Sequence, residues 1–353
     1  MKNKGRDQVG NNLLKAAVVA ATLGAIAATP AIAGQKLKIQ TSANATHFSL
    51  AYMNDGWVEE FSKRTGGRYE LELLPIKAVV PHKETPKAVA NGILDGDLTS
   101  TSYFTGLDQS FALVGDLIAG YDTPQQIQEF CRNGGGKELL QKMFNKFQPG
   151  VQVVACGTYN REAFVSKVPI NGVADLKGLK LRAPEGLASS VFKLAGASTV
   201  SMAGSEIYGA LEKGVVDGAD FSAYANNDAG GFHKVAKYPL YPGIHSMPVL
   251  QFTLNKKVWD KMSKQDQMAI EQWYQDMYAG LTAATDAKDK ELVARDKAAG
   301  DLTIIDWPQV ERDKFRAIAV QAWEKAASAS PEAKEAYETH LRFMKAKGLL
   351  KAD

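Results

Sequence analysis

Two stretches of the chain alternate strand-like and helix-like segments. In the first, the alternating apolar residues of KLKIQTSA (36–43) precede a helical repeat, HFSLAYMNDGWVEEFSKRTGG (47–67), and another strand, YELELLPI (69–76). In the second, strands and helices alternate again between residues 175 and 223. Strands that are joined through a helix lie parallel, with a right-handed crossover. The sequence therefore predicts an α/β protein built from two parallel-sheet units.

The segments between and after these stretches predict how the two units are joined. Residues 150–159 and 161–167 read as strands that bridge two lobes, and residues 249–262 open with a strand that returns to a sheet. The proline-free repeat of residues 263–300 predicts a long helix that spans both lobes. Two amphipathic helices, separated near Pro331, follow it.

The length of the chain also favours two lobes, because about 320 residues exceed what one core usually organises. We expect the lobes to be discontinuous in sequence. Lobe I comprises residues 34–157 and about 247–285, and lobe II comprises residues 158–246 and about 286–353 with the C-terminal helices. The charged face of those helices is either solvated or an oligomer surface, so a monomer and a homodimer both fit the sequence.

The first 33 residues have the pattern of a secretory signal peptide. Basic residues precede an apolar run from Leu13 to Ala28, and Ala31 and Ala33 mark a cleavage site. A membrane anchor is the alternative, but the run is shorter and richer in alanine than the ~20 strongly apolar residues of a spanning helix. The leader accounts for the whole formal net charge of +3. We therefore expect an exported, nearly neutral protein that does not bind nucleic acid.

Few residues are arranged for catalysis or for a structural metal. The five histidines are scattered without the i, i+4 spacing of a helical zinc site, and a paired nucleophile and base is not evident. We therefore predict that the protein is not an enzyme. Cys131 and Cys156 are either a disulfide, which export permits, or two buried thiols.

Arg182 stands out because of its position in the chain. It ends the apolar alternation of LKGLKLR and precedes Ala183-Pro184, so it lies at the carboxyl end of a parallel strand. Ligands of α/β sheets bind at those strand ends, and a guanidinium offers a planar fork that matches a carboxylate. A structural arginine that pairs with an aspartate or caps carbonyl groups is the alternative.

Three segments that occur in order resemble one family of transport proteins. They are DLKGLKLRAPEG, LAGASTVSMAGSEIYGALEKGVVDGAD and HKVAKYPLYPG, all between Asp175 and Gly243. They resemble the DctP-type periplasmic solute receptors of TRAP (tripartite ATP-independent periplasmic) transporters. The resemblance implies a two-lobed periplasmic binding protein fold, an organic acid held by a salt bridge to Arg182, and delivery to membrane permease subunits without ATP.

Within that family, YPGIH and GADF are similar to the branch that binds monocarboxylates and 2-oxo acids. Where this branch commonly has Glu-Trp the chain has Asp220-Phe221, and where it has an acidic residue the chain has Ser246. The acidic positions help hold a metal ion in some relatives. Because one of them is lost here, we expect no cofactor.

The rest of the site is predicted from loops at strand ends. Aromatic rings from both lobes would sandwich a planar, hydrophobic acid, and polar side chains would donate hydrogen bonds to it. Core packing is the alternative for each ring. The candidate ligand-binding residues besides Arg182 are Tyr103, Phe104, Phe221, Tyr224, Asn44, His47, Arg161, Lys83 and His245.

Three other functions would use the same fold. They are a sensor-associated binding protein, a receptor for sulfonates, and an exported enzyme that acts on a carboxylate. The sequence does not separate the first two from a transport receptor.

Overall fold

The computed structural model describes residues 34–349. The predicted signal peptide lies outside these residues. Residues 34–349 form one compact unit. Within the described part of the chain, no helix is both long enough and apolar enough to cross a membrane.

The described strands form two separate sheets. The first sheet has the order β2-β1-β3-β9-β4 and the second has the order β5-β8-β6-β7. The strands are β1 (Gln35–Thr41), β2 (Tyr69–Leu74), β3 (Gly96–Ser100), β4 (Val151–Gly157), β5 (Ala163–Ser166), β6 (Lys180–Arg182), β7 (Ser198–Val200), β8 (Gly218–Ser222) and β9 (Leu250–Asn255).

The helices cover and connect these sheets. They are α1 (Phe48–Tyr52), α2 (Val58–Arg64), α3 (Thr85–Ala90), α4 (Ser110–Gly115), α5 (Pro124–Asn133), α6 (Gly136–Phe147), α7 (Leu187–Leu194), α8 (Ile207–Glu212), α9 (Tyr224–Ala229), α10 (Phe232–Val235), α11 (Lys256–Lys261), α12 (Lys264–Ala299), α13 (Gln309–Ala327) and α14 (Pro331–Ala346). The α/β prediction is confirmed.

The parallel pairs are those that the strand and helix order predicts. β1 pairs in parallel with β2 and β3, and β6 pairs in parallel with β7 and β8. β9 and β5 are antiparallel to their neighbours. Because β4 belongs to the first sheet and β5 to the second, the chain passes between the sheets there, and it passes back before β9.

The helix expected over residues 47–67 is interrupted. α1 is followed by one π-helical turn, Met53–Trp57, in which Asp55 and Gly56 leave helical geometry before α2 begins. Gly56 has a φ of 96°, which a residue without a Cβ adopts at no steric penalty. The predicted helix is therefore divided into two short helices.

The long helix is confirmed as α12, whose 36 residues correspond to about 54 Å. Ser263 caps its first turn by accepting the backbone N–H of Asp266, and Gly300 ends it with a φ of 74°. α12 packs against α2 and β4 on the side of the first sheet and against α9 on the side of the second. It therefore spans both lobes, as expected.

The C-terminal helices pack on helices from both parts of the chain. α13 lies on α7 and α4, whereas α14 lies mainly on α4 and α6, which precede β4 of the first sheet. Trp323 of α13 donates its indole N–H to the Ile118 carbonyl at 3.1 Å. Tyr121 and His340 of α14 share a buried hydrogen bond of 2.8 Å. The C-terminal segment thus contacts helices of both lobes.

Cys131 and Cys156 form a disulfide, which resolves the two alternatives left by the sequence. Their Cα atoms are 5.5 Å apart, and the bond joins the last turn of α5 to β4. Both cysteines are 1% exposed. The bond therefore lies inside the packing of helices on the first sheet.

Candidate functional site

A cavity lies where strand ends of the two sheets face each other. Its lining includes residues at the carboxyl ends of β1 and β3 from the first sheet and of β6 and β8 from the second. It contains about 640 Å³, counting its open mouth. We call it the interlobe cavity. Its position follows from the parallel strands, which carry their ligand-binding ends to the same edge of a sheet.

The walls of the interlobe cavity combine apolar side chains with a few polar groups. Tyr103 contributes an aromatic ring from the first sheet and Phe221 one from the second, with Met53 and Leu98 beside them. Phe221 is 9% exposed. An apolar enclosure with a small number of polar groups is the usual composition of a small-molecule site.

Arg182 lies in this lining with only 1% of its surface exposed. Its Nε and Nη2 donate to the Met202 carbonyl at 3.2 and 3.0 Å, and its Nη1 donates to the Asp220 carbonyl. The guanidinium carbon lies 5.8 Å from the centre of the Phe221 ring. Each terminal nitrogen carries a second N–H. The arginine therefore caps two carbonyl groups, as the structural alternative proposed, while it also lines the interlobe cavity.

Arg182 affects the pKa of the nearby Tyr103 hydroxyl. Burial raises the pKa of Tyr103, and the charge of Arg182 together with a hydrogen bond to it opposes that rise. Tyr103 also meets His82 edge to face, with ring centroids 4.8 Å apart. The phenol is thus a neutral hydrogen-bonding group beside the guanidinium at neutral pH.

His47 begins a chain of hydrogen bonds that crosses the interlobe cavity. Its Nδ1 accepts the backbone N–H of Ser49 at 3.3 Å, which leaves the proton of the neutral ring on Nε2. Nε2 lies 3.1 Å from the Ser222 hydroxyl and donates to it, and Ser222 donates to the Tyr159 hydroxyl at 2.9 Å. Burial lowers the pKa of His47 to about 3, so the ring stays neutral.

The chain continues from Tyr159 to a pair of buried acids. Tyr159 donates to Glu162 Oε1 at 2.5 Å. Burial and the neighbouring Asp220 carboxylate raise the pKa of Glu162 well above its usual range. Burial alone would raise the pKa of Asp220, but His245, Glu162 and Arg182 together lower it to about 2. Asp220 is therefore the ionised group towards which these donors are directed.

His245 is a second partner of Asp220. Its Nε2 lies 2.8 Å from Asp220 Oδ1, and both side chains are almost fully buried. Among the described residues, Asp220 Oδ2 and His245 Nδ1 are buried atoms for which no hydrogen-bond partner is found. The pair thus keeps two buried coordinating atoms available.

Asp116 is a third buried acid in the lining. It accepts hydrogen bonds from the Ser246 hydroxyl and from the Met247 backbone N–H, the latter at 3.4 Å. Burial raises the pKa of Asp116 to about 7. Ser246 stands where the related branch has an acidic residue. The neighbouring Asp116, from the first lobe, nevertheless supplies a carboxyl group there.

Glu162, Asp220 and His245 fit a cation site. One ligand atom from each lies within 4.8 Å of the others, and all three residues are buried. Two carboxylates and an imidazole are common ligands of divalent ions. Asp228, His233 and Asp296 form another such group in the described part of the chain. The chain has Asp220 where the related branch commonly has glutamate. The position therefore keeps a carboxylate where a cation would need one.

The interlobe cavity brings together four of the ten predicted ligand-binding residues, which are Arg182, Phe221, Tyr103 and His47. Phe104 instead packs on Phe111 and Phe144 in the core. It follows Tyr103 in a single 3₁₀ turn, in which successive side chains point ~120° apart.

The other predicted residues lie outside this lining. Tyr224 is buried and donates to Asp296 at 2.7 Å. Lys83 pairs with Glu185 at 2.8 Å, and Arg161 lines a separate cleft. Asn44 adjoins the lining residue Ala43, and His245 acts through Asp220.

Tyr159, Glu162 and Asp116 line the interlobe cavity and were not anticipated. A signal for Glu162 was present, because it is an acid within the segment 157–163 that joins the two bridging strands. No local pattern marks Asp116, which follows α4 at a loop.

The strand ends of two α/β sheets enclose a cavity that has a buried guanidinium, an acid pair and apolar walls. These features define a two-lobed solute-binding protein. The chain belongs to the bacterial extracellular solute-binding proteins of family 7 (DctP), whose family model matches residues 39–329. The predicted family resemblance is confirmed.

Relatives with solved structures or known ligands agree with this assignment. A TRAP periplasmic solute-binding protein of Rhodobacter sphaeroides, solved in an apo open form, is 38% identical, with a TM-score of 0.73 over 90% of this chain and 100% of the other. A monocarboxylate 2-oxoacid-binding periplasmic protein of Nostoc sp. is 27% identical over 80% of this chain and 77% of the other. A Bordetella bronchiseptica TRAP solute-binding protein, with copurified calcium and picolinate in its site, shares the fold at 23% identity, with a TM-score of 0.79 over 89% of this chain and 93% of the other.

Proposed function

We propose that the protein is a periplasmic receptor that captures a small organic acid in the interlobe cavity and delivers it to TRAP membrane permease subunits. The ligand class is a monocarboxylate, with a 2-oxo acid or an aromatic acid favoured. The observation that carries the proposal is the buried guanidinium of Arg182 in the lining of this cavity. The leader pattern of residues 1–33 supports export to the periplasm.

The chemistry of the cavity supports an acid with an apolar body. Besides its bonds to two carbonyls and to Tyr103, Arg182 offers its remaining N–H to a carboxylate, and such bonds are strong where water is excluded. Tyr103 and Phe221 contribute apolar surface from opposite sheets. A ligand that touches both lobes stabilises the arrangement in which they meet, which is how binding selects the closed form.

The balance of buried charge supports a role for a cation. Arg182 already lies beside the ionised Asp220, so an incoming carboxylate adds a negative charge that these two groups do not neutralise. A cation held by Glu162, Asp220 and His245 would supply that positive charge next to the ligand. The calcium and picolinate of the Bordetella relative are consistent with such an arrangement.

The first test is calorimetric titration of the protein with a panel of monocarboxylates, 2-oxo acids, hydroxy acids, aromatic acids and sulfonates. Each acid is titrated after treatment with EDTA and again with calcium or sodium added. We expect binding of a carboxylate that strengthens when the cation is restored. Binding of a sulfonate alone, or turnover of the bound acid, would overturn the proposed ligand class or the receptor function.

Arg182→Lys and Arg182→Ala test the anchor. Truncating one member of a buried, hydrogen-bonded charge pair typically weakens binding by about 2–5 kcal/mol, and Arg182→Lys should weaken it at least about tenfold because the fork is lost. Arg132, which is exposed and bonds Gln275, provides the control Arg132→Gln. Urea unfolding of each variant is needed because Arg182 also bonds the Met202 and Asp220 carbonyls. A folded Arg182→Lys protein with unchanged affinity would contradict the anchor.

A further inference from the structure

A second cleft lies beside the segments that pass between the two sheets. It contains about 1090 Å³, counting its open mouth, and its lining includes Arg161, residues 242–247, and two arginines of α13, Arg312 and Arg316. Arg161 stands between β4 and β5, and residues 242–247 lead towards β9. We call this cleft the arginine cleft. It is separate from the interlobe cavity, because its lining does not include Arg182, Tyr103 or Phe221.

The arginine cleft carries more positive than negative charge. Three guanidinium groups line it, against the carboxylates of Asp122 and Asp306. Arg312 pairs with Asp306 at 2.9 Å, and Arg316 pairs with Asp122 at 2.6 Å. These carboxylates are 67% and 57% exposed, whereas Arg312 and Arg316 are 18% and 36% exposed. Water therefore screens the acids more strongly than the arginines.

Arg161 is the arginine of this cleft for which the described residues provide no carboxylate partner. Its Nη1 donates to the Gly243 carbonyl at a long 3.5 Å, and its Nη2 donates to the Asp122 carbonyl. A guanidinium has five N–H donors, so Arg161 retains capacity for further acceptors. Burial and the charges of Arg312 and Arg316 lower the pKa of Arg161. The like charges thus repel one another across the cleft.

Arg316 also has spare donors, and like Arg161 it contacts Asp122. Its Nε donates to the Ala119 carbonyl at 2.8 Å, and its Nη2 contacts Asp122 Oδ1. Arg312 has fewer free N–H donors, because it donates to the Trp307, Gly243 and Pro242 carbonyls as well as to Asp306. The free donors therefore belong mainly to Arg161 and Arg316, which come from separate segments of the chain.

We infer that the arginine cleft binds a second small oxyanion, such as phosphate or sulfate, between Arg161 and Arg316. A compact tetrahedral anion presents several oxygens at once, so it can accept N–H groups from two guanidinium forks. Its charge also relieves the repulsion among the three arginines. This site is independent of the organic acid in the interlobe cavity, and it does not require the proposed transport function.

The test is a thermal-unfolding titration with sodium phosphate and sodium sulfate, held at constant ionic strength with sodium chloride. We expect a saturable rise of Tm in the wild-type protein. Arg161→Gln and Arg316→Gln should remove the saturable rise, and Arg161→Lys should retain part of it. Arg132→Gln and Arg182→Lys, which lie outside the cleft, should keep it.

Crystals soaked in sodium selenate, a sulfate analogue with a measurable anomalous signal, would then locate the anion. Density between Arg161 and Arg316 supports the inference. A linear, unsaturable response to phosphate and sulfate would overturn it, as would a response that Arg161→Gln leaves intact or that Arg182→Lys abolishes. Because Arg161→Gln also removes bonds to two carbonyls, urea unfolding establishes that the variant folds, and Arg316→Gln provides a second variant from a separate segment of the chain.

Discussion

Asp97 is a fully buried carboxyl group in β3. It accepts hydrogen bonds from Gln251 Nε2 and Thr253 Oγ1, each at 3.0 Å. Burial raises its pKa to about 7 despite these donors. An unfolded chain has an aspartate pKa of about 3.9, so between the two values the folded state holds a proton that the unfolded state has lost. This group therefore makes the protein less stable as the pH rises towards 7.

Asp97→Asn should reduce the pH dependence of stability. The amide is neutral at every pH and keeps an acceptor oxygen for Gln251 and Thr253. In the wild-type protein, the titration of Asp97 lowers the free energy of unfolding as the pH rises from 5 to 7. In Asp97→Asn the slope of that fall should be smaller by up to about 1.4 kcal/mol per pH unit. Urea unfolding at a series of pH values measures it. Asp260→Asn, at an exposed pair with Lys256, is the matched control; an equal slope in Asp97→Asn and wild type would refute the prediction.

Single residues of the site differ in how far the sequence could predict them. Arg182 could be placed because the alternation of its strand sets where the strand ends. The contact between Glu162 and Asp220 could not, since it joins the residue before β5 to a residue of β8 that is far from it in sequence. Phe104 and Tyr224 could not be separated from Tyr103 and Phe221, because one turn of backbone decides which ring faces the interlobe cavity.

At the scale of elements, the disulfide joins α5 to β4 over a sequence separation of 25 residues. Closing a loop of this length restricts the unfolded chain and is worth roughly 3 kcal/mol. We predict that Cys131→Ala combined with Cys156→Ala lowers the free energy of unfolding by about that amount. Urea unfolding with and without dithiothreitol measures it. Reductant should shift the wild-type midpoint towards that of the double variant and leave the variant unchanged; equal stability of the two proteins would contradict the prediction.

The sequence predicts the type of an element, helix or strand, better than an interruption within the element or the surface against which it packs. The absence of proline and the helical period were enough for α12. The interruption at Asp55-Gly56 was missed, because glycine is tolerated in many helices and its positive φ is fixed by tertiary packing. The packing of α14 on α4 and α6 was not predicted, since an amphipathic pattern gives a buried face but not the surface that covers it.

At the scale of the molecule, several polar contacts among residues 34–349 cross the interlobe cavity or its rim. His47 meets Ser222 within it, while Lys77–Glu206 at 3.1 Å and Lys83–Glu185 at 2.8 Å join the same two lobes. Both ion pairs are substantially exposed, so each contributes about 0–1 kcal/mol. A contribution of this size is enough to bias an equilibrium between an open and a closed form whose free energies differ by only a few kcal/mol.

The double variant Glu185→Gln/Glu206→Gln should bind the organic acid about two- to tenfold more weakly at low salt, because closing becomes less favourable. The difference from wild type should vanish at about 1 M sodium chloride, where the Debye length is about 3 Å. Calorimetry at several salt concentrations measures it. Glu59→Gln, whose partner Lys63 lies in the same helix, serves as control; a loss of affinity independent of salt would rule out this explanation.

The position of β9 also constrains how the molecule can be made. β9 lies between β3 and β4, although it is synthesised after every strand of the second sheet. A chain that stops before residue 250 therefore leaves β3 and β4 with open edges, and open strand edges recruit other chains. Truncated products will aggregate instead of giving a soluble half-molecule, and no single cut in the sequence can release one intact lobe.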